Sequence, residues 1–164
     1  MSGGPGAGPI ALRRATPHDA DAVAQLHRAS ILRGCVGAYS PTQIRSWLDV
    51  LTPEVYPRLI ASTYFRVALE DDAICGFAAT SVGDDLINAV YVAPFAMSKG
   101  VGRALVADAE EALLTAGRHE AKLNATVNAV EFYRWLGYVD VGDSTNRLPS
   151  GVALACVAMR KPLV

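Results

Sequence analysis

The segment at residues 90–105, VYVAPFAMSKGVGRAL, constrains this chain more than any other. An apolar, valine-rich run ends at Ala93, Pro94 turns the chain, and a loop carrying Gly100 and Gly102 opens into an apolar-periodic stretch. Strand, glycine loop and helix form a unit that lays its helix back across a sheet. Glycine removes the Cβ atoms that would hold an anion away from the backbone. The N–H groups of a first helical turn lack intrahelical partners and point outward at the positive end of the helix dipole. Lys99 and Arg103 add full charges beside that position. The segment therefore reads as a seat for a pyrophosphate. A glycine-rich turn without a ligand is the plainer alternative at this point.

The rest of the chain supplies a setting for that unit. Residues 10–14 read as a short strand. Thr16 and Pro17 then start a helix to about Ser30, with Thr16 as N-cap and Pro17 in the first turn. Residues 34–37, GCVG, break the chain, and a second helix starts after Ser40 with Pro41 in its first turn. Pro53 and Pro57 punctuate a third helical piece. Strands follow at 64–69, 74–81 and 86–92, separated by the polar turns Glu70-Asp71-Asp72 and Gly83-Asp84-Asp85. A long helix is expected from about Ser98 to Ala116, where Gly117 stops it. A strand at 120–125, a short helix at 129–136 and strands at 138–141 and 152–159 complete the order. The short turns make the middle strands antiparallel, and the long helix makes a βαβ crossover with one parallel pair. The fold class is mixed α/β, in one domain spanning residues 10–164. Residues 1–9, rich in glycine and proline, are expected to be a disordered tail rather than a secretory signal.

Composition narrows the function. Fifteen basic against 16 acidic side chains leave a net charge of −1, without the basic excess of a nucleic-acid binder. No apolar run reaches the roughly 20 residues that a membrane helix requires. The three cysteines, Cys35, Cys75 and Cys156, are widely spaced and form no C-x-x-C pair, so no disulfide framework or metal site is expected. Cys75 and Cys156 stand in apolar runs and read as reduced core thiols, which points to the cytoplasm.

Three phosphate loops compete for residues 97–102. A P-loop requires G-K-[ST], whereas Lys99 precedes the glycine. A dinucleotide fingerprint requires a third glycine where Leu105 stands. The coenzyme A loop of the GNAT (GCN5-related N-acetyltransferase) superfamily, roughly [QR]-x-x-G-x-[GA], fits both glycines and departs at Met97, with Ser98 where a further glycine is common. A second stretch, at 123–138, is LNATVNAVEFYRWLGY. It resembles the GNAT pattern N-x-x-A-x-x-[FL]-Y-x-x-x-G-[FY] at Asn128, Phe132, Tyr133, Gly137 and Tyr138, with the small residue displaced to Ala129. Both motifs, in this order and with these elements between them, identify the chain as a member of that superfamily.

The resemblance implies the GNAT fold, a mostly antiparallel sheet splayed around its βαβ crossover. It also implies transfer of an acetyl group from acetyl-CoA directly to a primary amine, with no metal. The cofactor-binding residues it implies are Val90, Tyr91 and Val92 on the strand, then Ser98, Lys99, Gly100, Val101, Gly102 and Arg103 around the pyrophosphate. Backbone groups of Val90 and Val92 would pair with the pantetheine, entering between strands 86–92 and 120–125. Asn128 would bond the cofactor or cap its helix. Tyr133 is the expected acid that protonates the leaving thiolate. Many relatives carry an acidic base where Leu86 and Asn88 stand here, and neither residue can take a proton. Asp85, bridging water or no protein base at all remain as alternatives, and His27 and His119 are unplaced. The acceptor, a small amine or a protein amine, is expected between residues 31–62 and 142–151, where Tyr39, Trp47 and Tyr56 make the surroundings aromatic and rather neutral. Those rings also read as core. Relatives often dimerise, so a homodimer is an expected state. The competing function is an acyl-CoA sensor that kept the fold and lost turnover.

Overall fold

The computed structural model describes residues 9–164, so the expected tail lies outside the described residues except for Pro9. The strands are β1 (Ala11–Arg14), β2 (Tyr64–Glu70), β3 (Ala73–Ser81), β4 (Leu86–Val92), β5 (Glu120–Thr126), β6 (Val139–Arg147) and β7 (Ala153–Pro162). The helices are α1 (Ala20–Gly34), α2 (Pro41–Asp49), α3 (Tyr56–Ser62), α4 (Val101–Thr115) and α5 (Val130–Trp135). All seven strands join one sheet in the order β1-β2-β3-β4-β5-β7-β6. Only β4 and β5 run parallel, through the α4 crossover, and the other neighbours are antiparallel. The mixed α/β class and the βαβ crossover are as the sequence implies.

Several boundaries differ from expectation for identifiable reasons. Pro17 opens a single 3-10 turn rather than α1, and Asp19 closes it by accepting from the Thr16 N–H at 2.8 Å while Arg13 grips the same carboxylate. Helix α1 then runs on to Gly34, past the expected end. Helix α4 begins at Val101, not Ser98, because Ser98 (φ 64°) and Gly100 (φ 85°) are left-handed and no right-handed helix includes them. Strand β6 continues to Arg147, well beyond residue 141. Its extension, GDSTNR, is almost wholly exposed and pairs only with β7, so it carries no apolar alternation by which to read it as a strand.

Local signals fare better at α2. Ser40 Oγ accepts from the Gln43 N–H at 3.2 Å and Gln43 Oε1 accepts from the Ser40 N–H at 2.8 Å, with Pro41 in the first turn. Such a cap contributes about 1 kcal/mol. Beyond Ser40, Ile44 and Trp47 turn inward at helical spacing and join Ile31, Cys35 and Tyr39. Leu148 and Leu154 from the far end of the β6–β7 hairpin complete that cluster. The two segments expected to flank an acceptor are therefore packed together. Tyr39, Trp47 and Tyr56 are all buried, so these rings are core rather than open pocket wall. Cys75 and Cys156 are buried free thiols, as expected.

Candidate active site

The site begins with one extra residue in β4. Ala79 pairs with Ala89 and Thr80 with Ile87, which leaves Asn88 as a bulge. Strict alternation would put Ile87 and Tyr91 on one face of the sheet. Instead Ile87 packs with Val106, Ala109 and Leu113 of α4. After the bulge, Tyr91 lies against His27 of α1, with ring centroids 4.1 Å apart, and Val92 turns to Gly102 of α4.

Beyond the bulge β4 and β5 part. Their only paired residues are Leu86 and Lys122, with the Lys122 N–H reaching the Asp85 carbonyl at 2.7 Å. On its other edge β4 stays bound to β3, where Ala93 N–H donates to Cys75 O at 2.8 Å. The alternation of an antiparallel ladder then turns the N–H and C=O groups of Val90 and Val92 away from β3, into the gap. A sheet interior thus contains a short stretch of unpaired backbone, an arrangement that an extended, amide-bearing chain can complete.

The gap opens as a cleft of about 500 Å³. Its floor is Val90, Tyr91 and Val92. Met97, Ser98, Gly100, Val101, Gly102 and Arg103 form the glycine-loop end, and Thr126, Asn128, Phe132, Tyr133 and Trp135 form the opposite wall. Ser30 and Gly34 of α1, with Cys35 just after its end, close over it. The left-handed turns at Ser98 and Gly100 bring the loop round so that the start of α4 lines this space, and a first helical turn has N–H groups without intrahelical partners; the helix's first backbone bond is Ala104 N–H to Gly100 O at 3.0 Å. A Cβ on Gly102 would stand 3.0 Å from Phe132 Cζ, so glycine lets α5 pack against that first turn. Among the predicted residues, Val90, Tyr91, Val92, Ser98, Gly100, Val101, Gly102, Arg103, Asn128 and Tyr133 are brought together. Lys99 is not; its ammonium lies 3.3 Å from Glu70 Oε1, tying the loop to the end of β2.

Electrostatically the cleft is nearly neutral, and among the described residues Arg103 is the only charged one that lines it. Tyr133 is buried at 7% exposure, and burial pushes its phenol well above the ordinary tyrosine range. It keeps its proton throughout the physiological range, and its hydroxyl has no side-chain partner among the described residues. Tyr91 is shifted the same way, by burial first and then by the nearby Cys35 thiol and the phenols of Tyr133, Tyr39 and Tyr56. Asn128 does not cap α5. Its Oδ1 accepts from Cys35 Sγ at 3.6 Å, which joins the end of β5 to the end of α1 across the mouth. Tyr39 reinforces the same junction, donating to Ala155 O at 2.6 Å and accepting from Val127 N–H at 3.2 Å.

The candidate bases fall elsewhere. Asp85 is at the opposite end of β4, paired with Arg118, and lines a separate hollow with His119. Burial holds His27 neutral, its pKa lowered to about 3, and its Nδ1 lies 2.8 Å from Tyr56 Oη. Asn88 bonds Ser81 Oγ at 2.7 Å.

The family model for the acetyltransferase (GNAT) domain matches residues 35–161, the stretch that holds the split parallel pair, the bulged β4 and the glycine-opened start of α4. The chain belongs to the GNAT superfamily. A GCN5-related N-acetyltransferase from Rhodopseudomonas palustris, described also as a class-II aminotransferase, is 28% identical, with a TM-score of 0.90 over 98% of this chain and 100% of that one. PaiA N-acetyltransferase from Thermoplasma acidophilum, solved with coenzyme A, is 20% identical with a TM-score of 0.72 over 94% and 99% of the two chains. YncA of Salmonella typhimurium, a putative acetyltransferase solved with acetyl-CoA, is 18% identical with a TM-score of 0.69 over 95% of each. Sequence comparison with curated proteins finds no match. The chain is thus an acetyltransferase of the GNAT type. Among the described residues, no helix is long and apolar enough to cross a membrane.

Sequence reasoning missed parts of this GNAT site. The bulge at Asn88 leaves no mark in an apolar run. Gly34 reads as a helix break, yet it is a helical residue whose missing Cβ admits Asn128 Nδ2, 3.3 Å from where that atom would stand. Cys35 and Trp135 line the cleft without belonging to either motif's fixed positions.

Proposed function

We propose that this GNAT protein transfers an acetyl group from acetyl-CoA directly to a primary amine of a small or apolar acceptor. The observation that carries the reading is the unpaired edge of Val90 and Val92 running into the glycine turn at α4. The backbone of Val90 and Val92 would hold the pantetheine amides, and the Gly100–Gly102 turn with Arg103 would hold the pyrophosphate. Acetyl-CoA supplies the acyl group as a thioester, already activated. Backbone N–H near Val92 polarises the carbonyl to be attacked. Tyr133, neutral and unpartnered, gives its proton to the sulfur as the C–S bond breaks and the C–N bond forms.

The amine's proton leaves to water, since among the described residues no carboxylate lines the cleft and His27 is committed to Tyr56. A cationic acceptor would enter this space without a counter-charge, which supports a weakly basic or apolar amine over a polyamine. The same lack of charge favours, as a second reading, a sensor that binds acyl-CoA without turnover. Titration calorimetry with acetyl-CoA, using ATP and NADH as controls, tests the binding. Thiol release over an amine panel then separates enzyme from sensor. Equal affinity for ATP and acetyl-CoA would remove the basis of both readings.

A further inference from the structure

The chain has two tryptophans, and they sit in opposite settings. Trp47 is 5% exposed in the α2 core, whereas Trp135, at the end of α5, is 68% exposed. A surface indole of that exposure gains nothing from apolar burial, yet it is not loose. The Arg103 guanidinium lies over its ring, 5.5 Å from the centroid. Trp135 and Arg103 also line both the main cleft and an adjoining hollow of about 260 Å³ on the outside of α4 and α5. They therefore form the ridge between the pyrophosphate seat and the molecular surface. Lys161 is the other cation of that hollow, held by Glu110 at 2.7 Å.

We infer that Trp135 is the stacking platform for the adenine ring of the acyl-CoA, clamped by Arg103. The inference rests on the acetyl-CoA reading above. A molecule whose pyrophosphate sits at Gly100–Gly102 must lead its adenosine 3′-phosphate outward past Arg103, because the pantetheine occupies the inward direction. The open indole surface lies on that path. A purine presents a flat π-face to it, and the guanidinium already held over the indole is free to turn part of its charge to the 3′-phosphate. Phe132, one turn earlier on α5, is spent against Gly102, so Trp135 is the aromatic left for the nucleotide.

The test uses tryptophan emission and calorimetry on the full chain, with coenzyme A and 4′-phosphopantetheine as probes. Coenzyme A is expected to quench the exposed tryptophan, while 4′-phosphopantetheine, which lacks the adenosine, leaves it unquenched. Trp135→Leu should raise the Kd for coenzyme A about tenfold, in line with base–aromatic stacking elsewhere, and leave that for 4′-phosphopantetheine within about twofold. Trp135→Phe, which keeps a ring, should recover part of the loss. Equal weakening of both probes, or of neither, overturns the platform while leaving the acetyl-CoA reading intact. Coenzyme A failing to bind the wild-type chain overturns both.

Discussion

His27 offers a stability test whose size follows from its surroundings. It is 8% exposed, its Nδ1 is bound to Tyr56 Oη at 2.8 Å, and its Nε2 has no partner. Rings of Phe77 and Tyr91 stand at 5.3 Å and 4.1 Å, so a charged imidazolium would have no anion to meet. Burial accordingly lowers its pKa from 6.5 to about 3. Below the unfolded value the unfolded chain binds a proton that the folded chain refuses, so stability falls as pH falls. The contribution is complete above about pH 6.5 and is lost at about 1.4 kcal/mol per pH unit down to about 3. At pH 4.5 the loss reaches about 3 kcal/mol, equivalent to a fall in Tm of about 6–12 °C for a chain of this size. Paired carboxylates act lower. Arg13 holds Asp19 below its ordinary 3.8 and Arg134 does the same for Asp140, so their stabilising effect disappears only beneath that value. Urea unfolding of the wild type and His27→Gln at pH 7.5, 5.5 and 4.5 isolates the histidine. Glutamine keeps a partner for Tyr56 and does not titrate, so the variant should lose about 3 kcal/mol less between the extremes. Parallel pH profiles for the two proteins would refute the account of His27 as a buried neutral base.

Tyr133→Phe should lower kcat at least about a hundredfold, the range for loss of a general acid, while the KM for acetyl-CoA changes little; wild-type turnover across pH would remove Tyr133 from the chemistry. Gly102→Glu puts a carboxylate in the pyrophosphate seat and a Cβ against Phe132, so calorimetry should find acetyl-CoA affinity reduced about a hundredfold or more, with unchanged affinity refuting the placement of the loop. Tyr39→Phe leaves Ala155 O and Val127 N–H without their partner and should cost about 1–3 kcal/mol in urea unfolding, whereas a neutral result would show that water replaces the hydroxyl.

What could be read from sequence was whatever depends on residues near one another in the chain. The Ser40-Pro41 start, the Gly117 stop and the strand–loop–helix unit are each decided within a few residues, and each stands in the structure. The loop's glycine turn was legible for the same reason, because glycine spacing and helix start are local. Lys99 shows where this reasoning ends. Its charge made it a phosphate ligand on sequence, but its ion pair to Glu70 depends on β2, at the far side of β3, lying beneath the loop. Strand β6 marks the same boundary. Its polar residues form a strand because β7 offers an edge, and propensity gives no warning of that.

The bulge at Asn88 shows how much one unreadable residue controls. Parallel neighbours started in register at Leu86 and Lys122 would normally continue to pair, and their backbone groups would satisfy each other. The extra residue bends β4 and reverses which side chains face α1 and α4. Tyr91 is then gripped by His27 on one side of the sheet, and Val92 is turned to Gly102 on the other. The same bend separates β4 from β5 and leaves Val90 and Val92 with free backbone groups. Those groups, rather than any charged side chain, define the cleft, since among the described residues Arg103 alone is charged and lines it. The shape of the cleft therefore depends on main-chain geometry at two places, the β4 edge and the α4 turn. That explains why glycine positions and strand order carry the family signal, while the departures at Met97 and Ser98 leave the cleft formed. The β4 edge and the α4 turn are fixed by backbone, whereas the mouth is bridged by side chains, Cys35 to Asn128 and Tyr39 to the Ala155 carbonyl.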